Sequence, residues 1–117
     1  MHAVLVLWDL SAGSRASIER LRDYIRTESI ARFSAMEGLR QKTWISNPET
    51  QQWGAVYLFE THEQAGALAS HISAGRVVEL TGLVPAVQQF DVEAVVEGRH
   101  SGADLLAAGL ARTMPAP

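Results

Sequence analysis

Apolar side chains occupy both parities of Ala3 to Leu10, a β-branched and leucine-rich run closed by the turn residues Ser11, Ala12, Gly13 and Ser14. This pattern predicts a well-buried first strand. From Ser17 the period becomes helical: Ile18, Leu21, Ile25, Phe33 and Met36 recur on one face, while Glu19, Arg20, Asp23 and Thr27 lie away from it. Ser29 and Arg32 interrupt the apolar stripe. Either the helix bends near Glu28 and Ser29, with Ser29 bonding back to a carbonyl and Arg32 reaching water, or it turns polar groups toward a cavity. The bend is the commoner arrangement.

Gly38 and Leu39 end this helix. Arg40 to Ser46 and Trp53 to Phe59, separated by the turn-rich Asn47, Pro48, Glu49 and Thr50, predict a hairpin of strands 2 and 3. Thr61 and Gln64 have the spacing of a capping box, and Ala65, Leu68, Ala69 and Ile72 give helix 2 its buried face. Gly75 closes that helix, Arg76 to Leu80 allows a short extra turn, and Val84 to Val96 reads as strand 4 with Pro85 at its start. The order βαββαβ predicts a ferredoxin-like α+β fold, a four-stranded antiparallel sheet with two helices on one face. Strand 1 is apolar on both parities, so the open face also needs cover, and a second copy of the same sheet supplies it. Residues 1–98 make up this domain. Residues 99–117 form a C-terminal tail or arm, weakly helical over Ser101 to Arg112, where Leu105, Leu106 and Leu110 suggest an arm on a partner chain.

A length of 117 residues fits one domain, and 47% apolar with 20% charged residues supports a real core rather than disorder. The formal charge of −3, with basic residues scattered, argues against nucleic acid or anionic membranes as partners. The lack of cysteine excludes disulfides, thiolate metal sites and a Cys nucleophile. The longest apolar run is far short of the roughly 20 residues a membrane span needs and has no basic flank like that of a signal peptide, which leaves the cytoplasm as the expected compartment. The four histidines, His2, His62, His71 and His100, show no i,i+4 pair, and there is no G-x-S-x-G, P-loop or G-x-G-x-x-G motif. No metal site and no cofactor are expected.

Glu37-Gly-Leu39, Lys42-x-Trp44, Gly54-Ala-Val-Tyr-Leu-Phe59, Leu68-x-x-His71 and Phe90-Asp-Val92 together resemble the dimeric α+β barrel proteins, most closely their YdhR-like mono-oxygenase branch. The likeness runs from strand 1 to Val92; Ala31 to Met36 and the long C-terminal tail depart from it. The resemblance implies a homodimer with one small-molecule pocket per subunit, between sheet and helices. It also implies metal-free, flavin-free chemistry, because relatives oxygenate or rearrange polycyclic aromatic polyketides in that way.

His71 is the candidate base: imidazole titrates near neutrality, and the residue lies at the flank of the helix 2 stripe, where modest desolvation keeps the neutral form populated near pH 7. A partly exposed helical histidine is the more ordinary role for such a position. His62, just after the cap, reads as a surface residue. Flat indoles suit a planar ligand, which makes Trp8, Trp44 and Trp53 candidate substrate-binding residues, although core packing is the usual role of each. If the hairpin pairs Thr43 with Val56, then Lys42, Trp44, Ala55 and Tyr57 share one face. Tyr57 then joins His71 as a catalytic candidate. Lys42 is placed to stabilise an enolate, against the commoner solvated strand lysine, and Ser29 joins the substrate-binding set if it turns inward. The expected activity is cofactor-independent mono-oxygenation of an aromatic or polyketide-like molecule. The alternatives are an oxygen-independent cyclase or isomerase, and a non-catalytic small-molecule-binding dimer.

Overall fold

The computed structural model describes residues 1–113; the Met-Pro-Ala-Pro end of the predicted tail lies outside them. The first strand, β1 (His2–Asp9), alternates buried and half-buried positions, with Val4, Val6 and Trp8 on the buried side. Asp9 ends it by accepting from the Ser11 amide at 3.0 Å, which caps a short 3₁₀ turn, Leu10–Ala12.

The predicted first helix is divided. Ser17 caps α1 (Ile18–Tyr24) by accepting from the Arg20 amide at 3.1 Å. A π-helical turn follows over Ile25–Ser29, in which the Ile30 amide donates to the Ile25 carbonyl, and α2 (Ile30–Ser34) completes the element. The π turn adds one residue to the helical phase just where polar Ser29 enters the apolar stripe, and Ser29 is buried there.

Strands β2 (Leu39–Asn47) and β3 (Gln52–Phe59) form the hairpin, and its register pairs Thr43 with Val56. Both halves of the capping box are present at α3 (His62–His71): Thr61 Oγ1 accepts from the Gln64 amide, and Gln64 Oε1 accepts from the Thr61 amide, each at 3.2 Å. The Gln64 side chain fills the space beside Gly38, whose φ is 80°, so any side chain at position 38 collides with the cap. A 3₁₀ turn, Ile72–Ala74, and a short α4 (Arg76–Thr81) lead to β4 (Ala86–Asp91).

Strand β4 is shorter than the predicted Val84 to Val96. Its register on β1 places Asp91 opposite His2, and the Val92 amide reaches Met1 at 3.3 Å. Beyond that point the ladder with β1 stops, and Val95 and Val96 are exposed. The predicted C-terminal helix is also broken, into a 3₁₀ turn over Ala103–Ala107 and α5 (Leu110–Thr113), with Gly109 at φ 110° between them. The segment folds back on its own chain: Arg26 Nη1 donates to the Ala111 carbonyl at 3.2 Å, and Ala111 packs on the core.

The sheet order is β2-β3-β1-β4, antiparallel throughout, the ferredoxin-like arrangement. The core lies between one sheet face and the helices, where Val4, Val6, Ala55 and Phe59 meet Leu21, Ile25 and Ala65. The opposite face carries Leu5 and Leu7 half-buried, with Val56 and Phe90 40% and 50% exposed. No helix among the described residues is long and apolar enough to cross a membrane.

Candidate functional site

Residues directly opposite in an antiparallel ladder point to the same side of the sheet. The register places Lys42 opposite Tyr57, Trp44 opposite Ala55 and Trp8 opposite Trp53, all facing the helices. These side chains, with Phe33, Ser29 and Arg32 from the first helical element and His71 and Arg76 from beyond the hairpin, enclose a cavity of about 70 Å³. All seven site residues expected from the sequence line it: Trp8, Ser29, Lys42, Trp44, Trp53, Tyr57 and His71.

Lys42 has the most unusual surroundings. Its Nζ sits 3.3 Å from the centroid of the Phe33 ring, 4.4 Å from that of Trp44 and 4.5 Å from that of Tyr57. It has no hydrogen bond or ion pair among the described residues. Burial, reinforced by the positive charge of Arg32, lowers its pKa from the ordinary 10.5 to about 6. The ring faces oppose this shift, because an aromatic quadrupole favours the ammonium form. Desolvation is the larger effect, because no carboxylate among the described residues pairs with the amine to offset it, and the neutral form is favoured far beyond that of a solvated lysine.

Ser29 is 1% exposed and its Oγ has no hydrogen-bond partner. The bend expected at this position does occur, but Ser29 does not bond back to a carbonyl. That role falls to Thr27, whose Oγ1 donates to the Asp23 carbonyl at 2.9 Å. Ser29 instead lines the cavity, at the end of the π turn. Tyr57 is buried, tilted against Phe33 at 5.8 Å and stacked on Phe59 at 6.2 Å. Burial raises its phenol pKa, with Arg32 opposing and Tyr24 adding to the shift. Tyr57 is therefore a proton donor and not a base at any ordinary pH. Trp8 is held rigidly because its Nε1 donates to the Leu83 carbonyl at 2.9 Å.

His71 is exposed at the cavity rim, so the desolvation expected from its place on the helix does not occur. Helix α3 ends at this residue, and solvent reaches the last turn. Its Nδ1 lies 2.7 Å from the Ala67 carbonyl, an acceptor that keeps the proton on Nδ1 and leaves the Nε2 lone pair free in the neutral ring. His62 is exposed, as expected, but its ring meets that of buried His2 edge-on at 4.6 Å. His2 Nδ1 contacts Asp91 Oδ1 at 3.1 Å. This group lies at the other end of β1 from Trp8, about 20 Å away at about 3.3 Å per residue. No three His, Asp or Glu side chains among the described residues converge as metal ligands.

Phe33, Lys42, Trp44 and Trp53 also border a second, open cleft of about 900 Å³ between β2 and the segment around Leu105 to Arg112. Lys42 thus stands where a small inner chamber meets a larger outer one. The sequence reading missed the part played by Phe33, which it assigned to the core stripe alone. One signal was available: the chain has a single lysine against nine arginines.

The model of the family described as "Putative mono-oxygenase ydhR" matches residues 18–96. A crystal structure of NE2512, a protein of unknown function from Nitrosomonas europaea, is similar in fold, with a TM-score of 0.56 and 14% identity over 83% of this chain and 93% of the other. No curated protein matches. The family match spans more than half of the chain, from the first helix through the hairpin that carries Lys42, Trp44 and Tyr57 to the end of the sheet, and the chain belongs to the ydhR family of mono-oxygenase-like proteins.

Proposed function

We propose that this chain is an enzyme that deprotonates an aromatic or enolisable, polyketide-like small molecule and directs the resulting anion to react with O2. The observation that supports this most is the aromatic chamber itself: six aromatic side chains line it, three of them in contact with one lysine amine, beside one unpartnered hydroxyl and with a histidine lone pair free at the rim. A chamber of about 70 Å³ is smaller than the roughly 150 Å³ that takes up a benzene ring. The body of such a ligand therefore lies in the outer cleft, with its reacting carbon at the junction beside Lys42.

His71 Nε2 takes the proton at the rim. The anion then lies against Trp44 and Tyr57, and Lys42 gains a proton as the anion supplies the counter-charge that the empty chamber lacks. One electron passes to O2, the radical pair recombines, and an activated CH2 becomes C=O with release of water, so the substrate supplies every electron. The protein contributes deprotonation, orientation and exclusion of water.

The uncovered apolar sheet face, with Val56 and Phe90 exposed at its centre and edge, supports a homodimer formed through the two sheets. Oxygen uptake with metal-stripped protein and a hydroxylated anthrone-type probe tests the reading. Uptake equimolar with probe loss, reduced in His71→Ala, is the expected result. Probe conversion without oxygen uptake makes the protein a cyclase or isomerase, and binding without conversion makes it a carrier.

A further inference from the structure

Arginine supplies nine of the ten formally basic side chains, and the one lysine points into the chamber. The two residue types differ in a way that matters there: a guanidinium stays protonated, whereas an ammonium can lose its proton and become a nucleophile. Lys42 Nζ rests on ring faces, with no acidic partner among the described residues to hold it as a cation. Arg32 also lines the chamber; its Cζ stands 5.2 Å from the centroid of the same Phe33 ring that Lys42 covers at 3.3 Å, and it has no carboxylate partner among the described residues. The Phe33 ring thus meets both a guanidinium, on an exposed residue that lines the chamber, and the amine. The small chamber selects for a short molecule.

From this geometry we propose a second activity, independent of oxygen: Lys42 forms an imine with a small carbonyl compound bearing a carboxylate, such as a 2-oxo acid, whose carboxylate pairs with Arg32. The Lys42 lone pair adds to the carbonyl carbon while the C=O π pair moves to oxygen. In the net balance that oxygen takes both protons of the attacking nitrogen, one as the carbinolamine forms and one lent to the hydroxyl and repaid from the iminium nitrogen; the C–O bond breaks as C=N forms, and the oxygen leaves as water. Amine and ketone become imine and water, with no change of oxidation state. The Tyr57 phenol, held protonated by its burial and without a hydrogen-bond partner among the described residues, can lend a proton to the departing oxygen. The lowered proton affinity of Lys42 supports the step, because the neutral fraction of the amine at pH 7 exceeds that of a solvated lysine by about 10³-fold.

The test uses the full chain with pyruvate and with propanal at pH 7, cyanoborohydride to reduce any imine to a stable secondary amine, and intact-mass and peptide analysis. The only other amine in the chain is that of Met1, so the readout is nearly binary. A single adduct on Lys42 is expected, forming at least about 100-fold faster than on the same lysine in the urea-unfolded chain. Pyruvate should react faster than propanal, and Arg32→Gln should erase that preference without preventing the propanal adduct. Adducts confined to Met1, or labelling of Lys42 at the same rate in folded and unfolded chains, overturn the proposal. Equal rates for the two probes in the wild type overturn the assignment of Arg32. None of these results depends on oxygen uptake, so the two activities stand or fall separately.

Discussion

Replacing Lys42 by methionine should reveal the cost of placing an amine in the chamber, and that cost should depend on pH. Below about pH 6 the amine is protonated in both folded and unfolded chains, and the folded state carries the full desolvation penalty. Between about 6 and 10.5 the unfolded chain holds a proton that the folded chain has released, so wild-type stability rises with pH across this window; above it the penalty is gone. One proton corresponds to about 1.4 kcal/mol per pH unit. Lys42→Met lacks the titration while filling the same volume. Urea unfolding of both chains from about pH 6 to about pH 9 should show the variant more stable at the acid end, with the gap closing by about 1 kcal/mol per pH unit, or roughly 0.5–1 M in urea midpoint. Other titrating groups cancel in the difference. A gap that stays constant with pH, or widens, refutes the reasoning.

Ser29→Ala should raise stability by about 1 kcal/mol, because it removes a buried hydroxyl without a partner, and should weaken ligand binding measured by calorimetry; a clear loss of stability counts against the inward-facing hydroxyl. His71→Ala should lower turnover about 10²- to 10⁴-fold with an unchanged circular dichroism spectrum, whereas His62→Ala, at the far end of the sheet, should leave turnover per folded molecule alone. Val56→Asp on the open face should convert a dimer into a species near 12.7 kDa by light scattering, and an unchanged mass for both chains removes that face as the interface. Truncation after Gly98 should lower the melting temperature through loss of the Ala111 packing and its bond from Arg26; an unchanged melting temperature makes the segment a tail.

Much of the chamber was legible in the sequence because it depends on local rules. The turn at Asn47 to Thr50 sets the hairpin register, and that register alone puts Lys42, Trp44 and Tyr57 on one wall. The Thr61 and Gln64 cap fixes where α3 begins, and so where His71 ends it. Ser29 was harder to read, because a π turn inserts one residue into a helical phase, and a broken stripe in sequence looks the same whether the helix bends or widens. The true length of β4 depends on where β1 begins to pair with it, a contact 89 residues apart that no local pattern encodes. The surroundings of Lys42 could not be read from its strand. A strand lysine is ordinarily solvated, and only the arrival of Phe33 from the first helical element encloses the amine.

Lys42 is the one lysine of the chain, so its amine inside the chamber can be observed alone. Isotope labelling at the lysine side chain gives a single NMR signal to follow through a pH titration. A midpoint near 6 that moves upward when an anionic ligand fills the chamber is expected; a midpoint near 10.5, unmoved by ligand, contradicts a desolvated amine.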